Sequence, residues 1–271
     1  NITKKQILHL LMHYLIIHLI VFINKPKEYY IIFVRFMLSR IVGGESTSIE
    51  EFPYMVSVHM TENGVWKACG GSIITPKCVL TAAHCLVGMD NVTVRAGSDM
   101  MYFGGETIKA DQLFIHNEYN RRASSDLDVA IIRVAERLEG RNMETIQLDY
   151  ADVNIRDTVT VSGWGDMMPR YYSSYPDVLQ TVNLTVVSSS FCSTLLPMYD
   201  PSLSITENMF CTYTRNKDSC SGDSGGPVVR NGKQVGIVSF GPGCAFIAGV
   251  STRIGSLDVS SFIQRTIRDN C

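Results

Sequence analysis

From Ile41 onward the chain alternates short apolar runs with turn-forming residues. The runs fall at 54–59, 71–74, 92–96, 128–134, 158–162 and 234–240; they are rich in Val and Ile, with Gly, Asn, Asp and Pro between them. Such side chains pack well on a pleated surface, so runs of this kind bounded by turn residues predict the strands of an all-β barrel or sandwich. Only 256–268 has helical spacing: Leu257, Phe262, Ile263 and Ile267 can share a face, which predicts a C-terminal helix. Residues 41–271 are too many for one small barrel, and two packed barrels fit the length better. No linker rich in Pro, Ser or Gly and no internal repeat divides the stretch.

The first forty residues are of a different kind. Residues 7–23 read ILHLLMHYLIIHLIVFI, nearly unbroken apolar sequence behind Lys4 and Lys5. A basic start followed by an apolar stretch is the outline of a secretory signal, and the length touches the lower limit for a membrane span. His9, His13 and His18 suit neither pattern, and no small-x-small cleavage site follows. Because the first residue is Asn1, a non-native extension is a third reading. The expectation for 1–40 is a signal or pro-segment, ahead of a non-native extension and then an anchor. A membrane is a partner only if 7–23 is retained.

Charge and cysteines narrow the class. Residues 1–40 hold six Lys or Arg against Glu28 alone, which leaves 18 basic and 25 acidic residues in the body, a net of −7. A body of that sign has no general electrostatic footprint for nucleic acid and tolerates cationic substrates near its surface. All eight cysteines lie in the body, widely spaced and without a C-x-x-C unit. An even count in that pattern argues for disulfides over a zinc site, and hence for an oxidising, secretory route and a secreted, extracellular protein. Sequons at Asn91 and Asn183 are compatible with it.

Three stretches carry chemistry together: Thr81-Ala82-Ala83-His84-Cys85, then Asp128 at the head of the run VAIIRV, then Gly222-Asp223-Ser224-Gly225-Gly226-Pro227. A serine hydroxyl is a weak nucleophile at its own pKa and needs an adjacent base. A histidine can take its proton and return it to a leaving amine, while a buried carboxylate fixes the histidine's tautomer. Glycines beside the serine let backbone N–H groups point at a developing oxyanion without Cβ obstruction. Each stretch alone has a bland reading, as a structural histidine, a turn-ending aspartate or a tight turn. The set of three is far more specific.

These motifs, with IVGG at 41–44, CGGS at 69–72, SGWG at 162–165, KDSC at 217–220 and SFGPGC at 239–244, resemble the trypsin/chymotrypsin-like serine peptidases over 41–271, as a trypsin-like member. The resemblance implies two packed six-stranded antiparallel β-barrels with a C-terminal helix. It makes His84 the base, Asp128 its partner, Ser224 the nucleophile, and the Gly222 and Ser224 amides the oxyanion hole. Asp126 is the rival carboxylate, rejected because the apolar run begins after Asp128. Asp218 falls where the family places the floor of its primary pocket, which implies cleavage after Arg or Lys and argues against a chymotrypsin- or elastase-like cleaver. Gly241 and Gly249 match the pocket walls, Ser219 adds an acceptor, and Ser239 belongs to the same substrate site. Arg40-Ile41 looks like an activation bond, whose new α-ammonium on Ile41 would pair with Asp223.

The same resemblance implies disulfides Cys69–Cys85, Cys192–Cys211 and Cys220–Cys244. Cys78 and Cys271 are left. A bridge between them, pinning the terminal helix to the first barrel, is the favoured reading; a free Cys78 with Cys271 paired to another chain is the alternative. Phe240 stands where the family usually has Trp, the 244–249 loop is short, and no acid pair frames a calcium loop. No metal and no cofactor are expected. The implied partners are protein or peptide substrates and protein protease inhibitors, for a chain acting as a monomer. An inactive homologue that only binds partners is the reading from another class; such proteins usually lose a triad residue or its glycines, and this chain keeps them.

Overall fold

The computed structural model describes residues 43–166, 176–244 and 247–271, together with the backbone of 18–25 and 28–35. The chain divides into two compact units, Asn1–Leu38 and Ser39–Cys271. In the first unit β1 (His18–Lys25) and β2 (Glu28–Arg35) form an antiparallel hairpin, paired from His18↔Arg35 to Lys25↔Glu28. Branched and aromatic residues dominate both strands, as a pleated ribbon favours. The apolar run 7–23 thus ends in a strand, and its beginning lies outside the described residues. No helix among the described residues is long and apolar enough to cross a membrane.

The second unit holds two closed barrels. In the first, β4 (Met55–Glu62), β5 (Val65–Thr75), β6 (Cys78–Thr81), β7 (Asp90–Ala96), β8 (Glu106–Ile115) and β9 (Ala130–Val134) close in the order β4-β5-β6-β9-β8-β7. The second comprises β10 (Thr158–Gly163), β11 (Gln180–Val187), β12 (Met209–Thr212), β13 (Pro227–Arg230), β14 (Lys233–Phe240) and β15 (Gly249–Arg253). Its order is β10-β13-β14-β15-β12-β11, closed by β10 pairing with β11, and β3 (Glu45–Ser46) adds to the edge of β11. Closure removes the exposed strand edges that invite aggregation.

Each barrel has its own apolar interior. Val56, Val58, Ile73, Leu80, Val94 and Ile131 fill the first, and Val159, Val161, Val182, Leu184, Phe210 and Val228 the second. In β11 burial alternates along the strand, with Val182, Leu184 and Val186 inward, as the two-residue strand period requires. The Phe210 ring packs against Gly236: a Cβ there would stand 2.5 Å from its Cε1. Glycine at 236 is therefore a packing requirement.

Two helices complete the unit. The C-terminal helix α2 (Leu257–Asn270) buries Val259, Ile263 and Thr266, and Val259 and Ile263 join the first barrel's core cluster. Leu257, expected on the buried face, is 79% exposed. It opens the helix, where the chain has not yet turned against the barrel, and Val259 takes its place. Helix α1 (Ser189–Tyr199) was not expected from the sequence. Ser188 caps it, its side chain accepting from the Phe191 amide, and Pro197 lies inside it. Only Cys192 and Leu196 are buried, one turn apart, so its apolar signal is faint.

Candidate active site

The site is assembled from both barrels. After β6, a short 3-10 turn over Ala83–Cys85 presents His84, and Thr81 Oγ1 ties the strand end to the Gly70 carbonyl at 2.9 Å. Just ahead of β9, Leu127 has a φ of 56°, a conformation rare for a branched side chain, and the Val129 amide reaches back to the Leu127 carbonyl at 2.8 Å. The tight turn aims the next side chain, Asp128, inward, where it is fully buried.

Asp128 is surrounded by donors. Its Oδ2 accepts from His84 Nδ1 at 2.7 Å and from Ser239 Oγ at 2.5 Å, and its Oδ1 accepts from the His84 amide at 2.9 Å. Thr252 Oγ1 donates to the Asp128 carbonyl at 2.9 Å. With Nδ1 donating, the neutral ring leaves Nε2 as an acceptor. Burial disfavours the charged ring, yet the hydrogen bond and charge of Asp128 outweigh it and raise the pKa above the usual histidine value. Ser239, expected among the substrate contacts, turns its hydroxyl onto Asp128. Asp126 is buried elsewhere, accepting from Thr206 Oγ1 at 2.6 Å and Asn208 Nδ2 at 3.0 Å.

Ser224 comes from the loop before β13 in the second barrel. Its carbonyl accepts from the Gly70 amide at 2.8 Å, which ties the loop to the first barrel. Gly225 beside it has a φ of 79°, and a Cβ there would stand 2.2 Å from Thr81 Oγ1. Among the described residues, the amides of Gly222 and Ser224 make no hydrogen bond to protein, and Ser224 Oγ makes none to His84. Two unengaged amides beside a serine hydroxyl suit an oxyanion.

Asp223 is fully buried between them, accepting from the Gly165 and Cys220 amides at 2.8 Å each. Burial pushes its carboxyl up to about 6, against those two bonds. Arg40 and Ile41 lie outside the described residues. Asp218 is buried close to Gly249, where a Cβ would stand 2.9 Å from its Oδ1; a Cβ on Gly241 would stand 3.4 Å from the Gly249 Cα. Any side chain at 249 would therefore press on the carboxylate. Ser219 adjoins Asp218 and is half-buried.

The four pairings named from the sequence are all present: Cys69–Cys85, Cys78–Cys271, Cys192–Cys211 and Cys220–Cys244. Sulfurs of the first lie near His84, but bridged sulfurs carry no thiolate, so the cluster does not fit a metal. No motif or spacing signals the hydroxyls of Ser239 and Thr252 on Asp128. Each is more than a hundred residues distant from it, and only barrel closure brings them together.

Fold and site together define a two-barrel serine endopeptidase. Residues 41–259 match the Trypsin family. Trypsin delta of Drosophila erecta is 38% identical over 210 residues, covering 76% of this chain and 80% of that protein. Trypsin I-P1 of Gallus gallus is 37% identical over 243 residues, covering 85% and 90%. Among solved structures, a scabies mite inactivated protease paralogue, S-D1, superposes with a TM-score of 0.75 at 25% identity, over 85% of this chain and 98% of that one. The chain belongs to the trypsin family, a family of enzymes that act on protein or peptide substrates.

Proposed function

We propose that this enzyme is a secreted zymogen that cuts polypeptides after Arg or Lys through Ser224, His84 and Asp128. The observation that carries the reading is the Asp128–His84 bond at 2.7 Å, which leaves Nε2 as the ring's proton acceptor. Ser224 Oγ bonds to the scissile carbonyl carbon while its proton passes to His84 Nε2. The oxyanion accepts from the Gly222 and Ser224 amides. Its collapse breaks the C–N bond, and the proton on Nε2 leaves with the amine. Water then attacks the acyl-enzyme by the same route, releasing the acid and restoring Ser224. Asp128 holds the ring and stabilises its cation throughout.

Asp218 supports the choice of Arg or Lys: a buried carboxylate behind two glycines pairs with a guanidinium or ammonium, and the planar fork of Arg fits it best. Four disulfides and two sequons support secretion, and the enzyme acts as a monomer open to protein inhibitors. Cleavage at Arg40–Ile41 would free an α-ammonium to neutralise Asp223, whose neighbours Gly222 and Ser224 carry the oxyanion amides. Residues 1–40 are then a segment removed on the way to activity. Chromogenic amides of Arg, Lys, Phe and Ala test the specificity. Arg and Lys should be cut far faster than Phe or Ala, and Asp218→Ser should abolish the difference; a wild-type preference for Phe would refute the reading.

A further inference from the structure

A cleft of about 790 Å³ runs from the catalytic residues along the first barrel. His84 and Gly222 line it, together with Met60, Trp66, Met101 and Tyr102. Asp218, Gly241 and Gly249 do not line it. The cleft thus reaches the catalytic residues apart from the Asp218 pocket, and is open to a part of the substrate other than its Arg or Lys side chain.

The apolar walls are held in place. Trp66 follows the Asn63-Gly64 turn, where both residues have positive φ, 51° and 80°. A two-residue turn of that kind matches strand twist and makes a stiff hairpin. Trp66 pairs with Thr61 across it and is 73% exposed. Opposite, Ser57 Oγ donates to the Met101 carbonyl at 3.0 Å and so accepts from His59 Nε2 at 2.8 Å. Burial keeps the His59 ring neutral, and the Tyr102 ring stands edge-on to it, centroids 5.3 Å apart. Tyr102 is thus fixed to β4 although half its surface is exposed. Lys67 is paired with Glu62 at 2.5 Å, and among the described residues no carboxylate lines the cleft. It offers apolar surface and little to a charged side chain.

We propose that Trp66 and Tyr102 are specificity-determining residues that select bulky apolar side chains in the two positions after the scissile bond. The proposal rests on the active site described above. The chain's own Arg40-Ile41-Val42 has that pattern, which makes its activation bond a good substrate for another copy of the enzyme.

Quenched peptides with Arg-Leu-Leu and Arg-Gly-Gly at the cut test it, with an Arg methyl ester as a substrate too short to reach Trp66. The active enzyme should favour Leu-Leu over Gly-Gly about ten-fold in kcat/KM, the size of preference one or two apolar contacts supply. Trp66→Ala and Tyr102→Ala should each bring the ratio toward one. A second readout needs no turnover: Ser224→Ala protein is titrated with Leu-Leu-Gly or Gly-Asp-Gly while tryptophan emission is followed. The other tryptophan, Trp164, is buried, so a blue shift reports Trp66. Leu-Leu-Gly should produce the shift and Gly-Asp-Gly should not. Normal ester hydrolysis with equal peptide rates and no shift overturns the cleft's role alone. A shift with no hydrolysis of the Arg ester overturns the Arg/Lys reading and upholds the cleft.

Discussion

His84 and Asp128 set the expected pH behaviour. Burial alone would lower the pKa of His84, but its bond to Asp128 raises it above the ordinary 6.5. The base works only when neutral, so kcat/KM should rise with pH as the ring loses its proton above that value. Asp128→Asn removes the raising charge and turns one of the two accepting oxygens into a donor, so the tautomer is no longer fixed. The limb should move to lower pH and the rate should fall by about four orders of magnitude. A pH–rate profile checks both; an unmoved limb would contradict the role given to Asp128. Asp223 makes the opposite kind of prediction. Its carboxyl is raised from 3.8 to about 6 by burial. Between those values the folded chain keeps a proton that the unfolded chain has lost, so stability falls as pH rises through the window. Above it the cost stays constant at about 3 kcal/mol. In the uncut chain, Asp223→Asn should therefore raise stability in urea at pH 7 by up to that amount and leave it unchanged near pH 3.5. After cutting at Arg40–Ile41 the same substitution should destabilise, because it removes the partner of the new ammonium. No difference between cut and uncut forms would disprove the Ile41–Asp223 pairing.

At the scale of elements, the Cys78–Cys271 bridge closes 193 residues and ties the end of α2 to β6. In the chain-entropy model so long a closure is worth about 5 kcal/mol, and measured losses run from about 2 to 5. Cys78→Ala with Cys271→Ala should lower stability within that range while leaving kcat nearly unchanged, which urea unfolding and an Arg amide assay would show. Much of this scale was legible in the chain. Strands whose apolar residues run together, such as β9 and β14, or alternate cleanly, such as β10, announce themselves. Strand β8 does not, because Glu106, Lys109, Asp111 and Gln112 break its pattern and only Ile108 is fully buried. Helix α1 was illegible for a related reason: a disulfide and one leucine anchor it, and Pro197 reads as a breaker. Local motifs located His84 and Ser224. Asp126 against Asp128 was decided by where the apolar run begins, and Thr206 and Asn208 show what the other carboxylate is for. No spacing could disclose Ser239 and Thr252 as partners of Asp128, nor Trp66 and Tyr102 as two walls of one cleft, since these are products of barrel closure.

At the scale of the molecule, two barrels with separate cores each contribute residues to the proposed site. The first supplies His84 and Asp128, and the second supplies Ser224, Ser239 and Asp218. Gly70 bonded to Ser224, and Ser239 and Thr252 bonded to Asp128, are among the ties between them. Such an arrangement makes the site sensitive to how the halves meet and explains why its catalytic groups should act as a unit. The most direct measurement of that unit is hydrolysis of an Arg amide by Ser224→Ala, His84→Ala and the double variant beside the wild type. Each single substitution should lower kcat by several orders of magnitude, to about 10⁻⁶ of its starting value, and the double variant should be little worse than either. Near-wild-type turnover in either single variant, or losses that multiply in the double, would contradict catalysis by Ser224 and His84 acting together.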